Sequence, residues 1–212
     1  SDGTAYDECS DDKPLYCDEG GLVKNPEVCG CNFGYQSYKS DCVDSSKVES
    51  MEATDYLNEI RKKYNRNLVK WDEQLYDLAL YRTKDMYDRK YFDHVTPDGK
   101  CVKDFKEQFG LEDYNIAENA GAVTYDYSDK NNIVYASYAN VKEQIDGWME
   151  SRGHRYNLLY PSHIFGVAAC YKGACVFLGA NKEYYGLGFG PCTTGTEGTA
   201  YWQSAGKQEG EV

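Results

Sequence analysis

What this sequence lacks narrows its possible roles before what it contains is considered. No Cys-x-x-Cys pair occurs among its nine cysteines, so the spacing needed by zinc ribbons, thioredoxin-type redox centres and haem attachment is missing. No Asn-x-Ser/Thr triplet offers the usual N-glycan acceptor. Long apolar runs are missing too: the longest, around Ile164 to Ala169, is far short of the roughly 20 residues that span a bilayer. Positive charge is in deficit, with 23 Lys and Arg against 35 Asp and Glu and a formal charge of −12. Nucleic acid and anionic membrane surfaces would repel such a chain. Cationic partners or divalent cations suit it better, and a charge of this size also keeps a protein soluble. The first residues, Ser1-Asp2-Gly3, have neither a basic start nor an apolar run, so the chain reads as a mature product after signal removal.

Cysteine is what the chain has in excess. Five of the nine, Cys9, Cys17, Cys29, Cys31 and Cys42, fall within the first 42 residues, a density that reads as a disulfide framework and an extracellular or cell-surface setting. The count is odd, which leaves one thiol for an intermolecular bond and points to self-association or an extracellular-matrix or cell-surface partner. Residues 1–45 form a module of their own, because Pro14, Gly20-Gly21, Pro26, Gly30 and Gly34 break any period and only cross-links can order it. The run Cys29-Gly-Cys31-Asn-Phe-Gly34-Tyr35, followed by Cys42, resembles the second half of an EGF-like module. Such modules use six cysteines and five are present, so the resemblance is partial.

Residues 46–190 are expected to form the main domain. Ser46-Lys-Val-Glu49 has the form of a capping box, and Ala53, Tyr56, Leu57, Ile60 and Tyr64 then recur at helical steps. A second helix is expected from Glu73, capped by Asp72, with Leu75, Leu78, Ala79, Thr83 and Met86 inward. A short helix spans Val102 to Phe109 and stops at Gly110. The most regular pattern, Val134, Tyr138, Val141, Ile145 and Trp148, predicts a fourth helix ended by Gly153. Strands are expected over Ile164 to Tyr171 and Ala174 to Gly179, joined by a Lys172-Gly173 turn. In that hairpin Cys170 faces Cys175 at a non-hydrogen-bonded site, about 4.5 Å apart at Cα, which suits a disulfide. Residues 191–212 are a polar tail with no period, expected to be loose.

Three positions lie at the ends of predicted elements, where rigid scaffolds present functional side chains: His94 in "YFDHVTPDGK", Glu118 in "IAENAGAV" and His154 in "WMESRGHRYNLLYP". Two imidazoles and a carboxylate would make a three-ligand divalent site, for zinc or calcium, or an acid and base pair around a substrate. Each has a plainer reading as well. His154 can cap a helix, where the dipole favours a cation. Glu118 can pin its own loop, and Arg155 is read as a carboxylate partner. His163, next to Pro161, is expected half exposed and is left out of the site. The 21 tyrosines read as core and rim filler, and a surplus on the surface would favour an interface or glycan stacking.

Taken together, "LNEIRKKYNRNLVKWDEQLYDLALYRTKDM", "YFDHVTPDG", "AENAGAV" and "GWMESRGHRYNLLYPSHIFGVAA" resemble, in that order and over about residues 50–180, the CAP superfamily (SCP or PR-1 domains) in its prokaryotic-type branch. The resemblance implies an α+β fold, an α-β-α sandwich with a small antiparallel sheet and a surface cleft lined by histidines and acids. On matching positions His94 is the first cleft histidine, Glu118 the acid of a Gly-Glu-Asn motif whose glycine is here Ala117, and His154 the second histidine. Many animal and plant members place a second glutamate where this chain has Ser151. Glu150 is one residue away, and a slip of one turns a helical side chain by about 100°, so Glu150 is only a neighbour of the set. The family has been linked to lipid or sterol binding, to cation-dependent chemistry and to proteolysis. The expected role is an extracellular binding protein for a small apolar ligand, a glycan or a divalent cation. The alternatives are a structural subunit of an extracellular assembly and a metal-assisted or acid–base hydrolase; no Ser or Cys nucleophile with a supporting base is visible.

Overall fold

The computed structural model describes residues 3–182, and the chain divides into two compact units after Glu49. The expected loose tail, residues 191–212, lies outside the described residues. In the first unit, strands β1 (Leu15–Asp18) and β2 (Gly21–Lys24) form one antiparallel hairpin. A single helical turn, α1 (Pro26–Cys29), follows; Asn25 caps it through Val28 N and Pro26 opens it. A second hairpin pairs β3 (Tyr35–Tyr38) with β4 (Asp41–Asp44). Disulfides join Cys9 to Cys29 and Cys31 to Cys42. Large apolar side chains here, Val28, Phe33 and Tyr35 among them, stand exposed. The cross-links therefore do the ordering that a buried core does elsewhere. The free cysteine among the described residues is Cys17, 7% exposed inside this unit, so the spare thiol does not face outward toward another chain as expected.

Helix α2 (Ser45–Lys63) begins two residues earlier than the expected box: the Asp44 carboxylate accepts from the Ser46 N–H at 2.9 Å and the Ser46 hydroxyl at 2.7 Å. Helix α3 (Glu73–Arg89) is capped as its sequence predicts, with Asp72 accepting from Leu75 N at 2.9 Å, and it buries the expected face. It also buries Arg82, which the expectation omitted. The segment Val102 to Phe109 is not one helix but two 3₁₀ turns, Val102–Phe105 and Glu107–Phe109, closed by Gly110 at φ 66°. Strand β5 (Asn115–Ala122) was not expected at all, and neither was the small ribbon of β6 (Thr124–Asp126) with β7 (Val134–Tyr135).

The predicted fourth helix is two helices. Val134 belongs to β7, and α4 (Val141–Glu150) starts at Asn140, whose Oδ1 accepts from Lys142 N and Glu143 N. Ser151, in extended conformation, ends it, and α5 (Arg152–Leu158) follows at once, with Gly153 inside rather than at a break. Strands β8 (Phe165–Tyr171) and β9 (Ala174–Asn181) form the hairpin and complete an antiparallel sheet in the order β5-β9-β8. At its turn Lys172 takes φ 52°, and a Cβ on Gly173 would lie 2.3 Å from the Val123 carbonyl oxygen, so only glycine fits. Cys170 and Cys175 face each other with Cα atoms 4.1 Å apart and are bonded.

The sheet is covered on both faces, which makes the second unit an α-β-α sandwich. Val176, Leu178 and Ala180 of β9 pack with α3, while Cys175 and Phe177 pack with α2, α4 and α5. That is the period of two of a strand buried on both sides.

Candidate functional site

The strand that sequence reading missed organises the site. β5 is an edge strand, and its register sets Glu118 opposite Leu178 and Asn119 opposite Phe177. Consecutive side chains on a strand point to opposite faces, so Glu118 turns toward α3 and Asn119 toward α5. Each reaches one of the expected histidines.

On the α3 side, Glu118 Oε1 lies 2.8 Å from His94 Nδ1. Arg82 holds the same carboxylate, Nε to Oε2 at 3.0 Å, and donates from Nη2 to the His94 carbonyl at 3.3 Å and from Nη1 to the Tyr91 hydroxyl at 2.6 Å. Arg82 is fully buried, whereas the His94 side chain is 28% exposed. Burial alone would push the Glu118 carboxyl up; the Arg82 charge and the His94 hydrogen bond outweigh it and hold Glu118 well below the carboxylate range. Burial also opposes a charged His94, but its bond to Glu118 and the Glu118 charge prevail and raise its pKa above the ordinary value. With Nδ1 committed to Glu118, the other ring nitrogen of His94 is left over, an acceptor in the neutral ring and a donor in the charged ring that the raised pKa favours.

On the α5 side, Asn119 Nδ2 donates to the His154 carbonyl at 3.0 Å, and the His154 ring lies 6.4 Å from the Trp148 ring, centroid to centroid. Trp148 is itself tied to β5 through Nε1 and the Ala120 carbonyl at 3.1 Å. Burial pushes the His154 pKa down to about 4, with the His94 charge adding to the effect. The two histidines therefore carry opposite tendencies, the pKa of His94 raised and that of His154 lowered. Among the described residues the His154 ring makes no hydrogen bond to protein.

The structure thus pairs His94 with Glu118 directly and ties the backbone of His154 to Asn119, the next residue of the same strand. Glu118 lies in a strand, not between elements, and His154 in the first turn of α5, just after the break at Ser151 that ends α4. Glu150 ends α4 on an exposed position and among the described residues makes no bond to the other three. Among the described residues Arg155 does not pair with a carboxylate but donates to the Met149 carbonyl at 2.8 Å. His163 is not half exposed: it is buried, with Nε2 2.8 Å from Asn157 Oδ1. Arg82 is the residue of this constellation that sequence reading missed. Its signal was available, since position 82 falls on the same helical face as Leu75, Leu78, Ala79 and Met86, and a charge on a core face needs a buried partner.

The donor set decides how a cation would fare. Both Glu118 oxygens are engaged by Arg82 and His94, so the acid expected as a third ligand acts instead as the partner that orients His94. Among the described residues no three His, Cys, Asp or Glu side chains converge as a metal-binding group. Two imidazoles remain, beside a buried arginine, which does not fit a three-ligand zinc or calcium centre.

Comparisons with known proteins agree with this architecture. Residues 54–187 match the model of the cysteine-rich secretory protein (CAP) family. An uncharacterized membrane protein of Bacillus subtilis, YlbC, is 24% identical over 157 residues, which are 71% of this chain and 38% of its own length. A second uncharacterized B. subtilis protein, YkwD, is 28% identical over 119 residues, 55% of this chain and 41% of its own. The chain thus spans about two fifths of the length of these curated relatives. Among solved structures, an extracellular protein containing an SCP domain from Bacillus anthracis strain Ames superposes with a TM-score of 0.52 at 25% identity, over 64% of this chain and 41% of that one.

Proposed function

The chain belongs to the cysteine-rich secretory protein (CAP) family, and from that premise we propose that it is an extracellular binding protein whose ligand is held between His94 and His154. The observation that carries this reading is the state of the two rings. A histidine kept for structure alone has its ring nitrogens satisfied by protein. His94 instead has one ring nitrogen clamped by Glu118 and the other left over, and His154 offers a neutral ring beside it. Two such rings, His94 clamped in its loop by Glu118 and His154 carried on α5, suit a ligand that has hydroxyl or carbonyl groups at one end: a glycan, or a small apolar molecule with a polar head. Disulfides and the extracellular B. anthracis relative support the location outside the cell, and no helix among the described residues is long and apolar enough to cross a membrane. Oligosaccharides and hydroxylated lipids, titrated calorimetrically into the protein and its His94→Ala and His154→Ala variants, test the reading. Both variants are expected to lose the ligand that the parent takes; a ligand bound equally by all three proteins overturns it. Zinc and calcium form two further arms, with weak or no binding expected from two imidazoles.

A second reading is favoured by the same pair of rings. Two histidines whose pKa values are pushed apart, His94 upward and His154 down to about 4, are an acid and base assignment in waiting, which would serve a hydrolase that uses water as nucleophile. Hydrolysis assays on the same variants decide it: unchanged rates in both end that reading.

A further inference from the structure

The third histidine, left outside the site by its sequence context, is connected to it. His163 is 1% exposed, Asn157 1% and Asn119 2%. His163 Nε2 lies 2.8 Å from Asn157 Oδ1, Asn157 Nδ2 donates to Asn119 Oδ1 at 2.9 Å, and Asn119 Nδ2 donates to the His154 carbonyl at 3.0 Å. The direction of each bond fixes the next. Asn157 uses its amide as the donor to Asn119, so the oxygen facing His163 is an acceptor, and His163 must present a proton on Nε2. The result is a one-way series of donors running from the loop before β8, through α5, across β5 and back to the first turn of α5.

Two further features hold the far end of the series in place. Asn181 of β9 donates to the Ser162 carbonyl at 2.6 Å, which fixes the residue before His163. A Cβ on Gly179 would lie 2.3 Å from His163 Nε2, so glycine at 179 makes the room that the ring occupies. A buried histidine kept in one tautomer, at a place carved for it, does more than fill space.

We propose that His163, acting through Asn157 and Asn119, is a positioning residue that fixes the backbone of His154 and so the placement of the His154 ring in the site. This deepens the binding reading by naming what holds one of its two histidines. Its test reads the ring itself rather than ligand binding, so either idea can fail alone.

The experiment is long-range proton–nitrogen NMR of the imidazole side chains in the full chain, at one fixed pH near 8. In the parent, His163 is expected as the Nε2–H tautomer; an Nδ1–H tautomer overturns the proposal without any variant. In His163→Phe, which keeps a ring but removes the donor, the His154 signals are expected to shift or broaden while those of His94, held from the other face by Glu118, stay. In His163→Gln, whose amide can present a proton where Nε2 does, the His154 signals are expected to return to the parental positions. Should His163→Phe not fold, Asn119→Ala removes the last donor of the series, together with the acceptor for Asn157, and is expected to move the same His154 signals. His154 signals that match the parent in a folded His163→Phe or Asn119→Ala, or a loss of the His94 and His154 signals together, overturn it.

Discussion

The two faces of β5 solve one problem with different chemistry. Toward α3 the strand uses charge: Glu118 against Arg82 and His94, with Tyr91 bridging Arg82 to Asp85. Toward α5 it uses neutral amides: Asn119, Asn157 and a neutral His163. Both arrangements end on one histidine of the same site. The difference lies in what each can control. A fixed carboxylate raises the pKa of its histidine as well as setting its position, as at His94. A chain of amides sets position alone, and burial then keeps His154 neutral. The cost of failure differs too, because a buried charge that loses its partner is more expensive than a buried amide that loses a hydrogen bond.

Replacing Arg82 should therefore give the largest effect. Arg82→Met leaves the Glu118 carboxylate buried without its counter-charge, and about 3–5 kcal/mol of stability is expected to go. Urea unfolding at pH 7 measures it. On the amide face Asn157→Ala leaves two buried polar partners unsatisfied and is expected to cost about 1–3 kcal/mol. A larger loss in Asn157→Ala than in Arg82→Met would break the comparison.

Acid should act on both faces, and His163 sharpens the amide side. Burial, and then the Arg61 charge, push its pKa down to about 3 in the fold, against an ordinary 6.5. Below pH 6.5 the unfolded chain takes up a proton that the folded chain refuses, so stability falls as pH drops from about 6.5 toward 3. By pH 4 the loss from this group approaches about 3 kcal/mol. His154 adds in the same direction down to about pH 4. Glu118 contributes later: its depressed pKa gives stability that is present above the unfolded value and is lost as pH falls below about 4.5. His94 runs the other way, since its raised pKa favours the fold below 6.5 and that contribution is lost as pH rises through its folded pKa. Urea midpoints at pH 7 and pH 4 should differ less in His163→Gln than in the parent; an unchanged difference would remove His163 from the account.

The contrast also explains what the sequence made legible. Helix α3 could be read, apart from its buried Arg82, because Asp72 and the face from Leu75 to Met86 obey local rules, and the β8–β9 hairpin because Lys172-Gly173 and two facing cysteines do. The family blocks brought His94, Glu118 and His154 together before any geometry was known. β5 was invisible because "NIAENAGA" has no β-branched alternation; its pairing with β9 makes it a strand, not its own propensity. The false start of α4 came from Val134 and Tyr138 falling in helical phase by chance, although Asn140 with Glu143 three residues on was a start signal within the same stretch. The burial of His163 depends on the space above Gly179, sixteen residues away on another strand, and no local pattern carries that.

The smallest expected effect on stability tests whether the two faces serve one site. His94→Gln and His154→Gln remove rings at the ends of the two arrangements and leave the buried partners largely in place, so each is expected to change stability by no more than about 1 kcal/mol. Their effect on ligand affinity should be large and shared. If one ligand is held by both rings, the losses from the two single variants will not add in the double variant, because the first substitution already removes much of what the second would. A calorimetric cycle over the four proteins measures this. Additive losses would mean two independent contacts on two faces of a strand, and the ionic and amide arrangements would then be separate devices rather than the two halves of one.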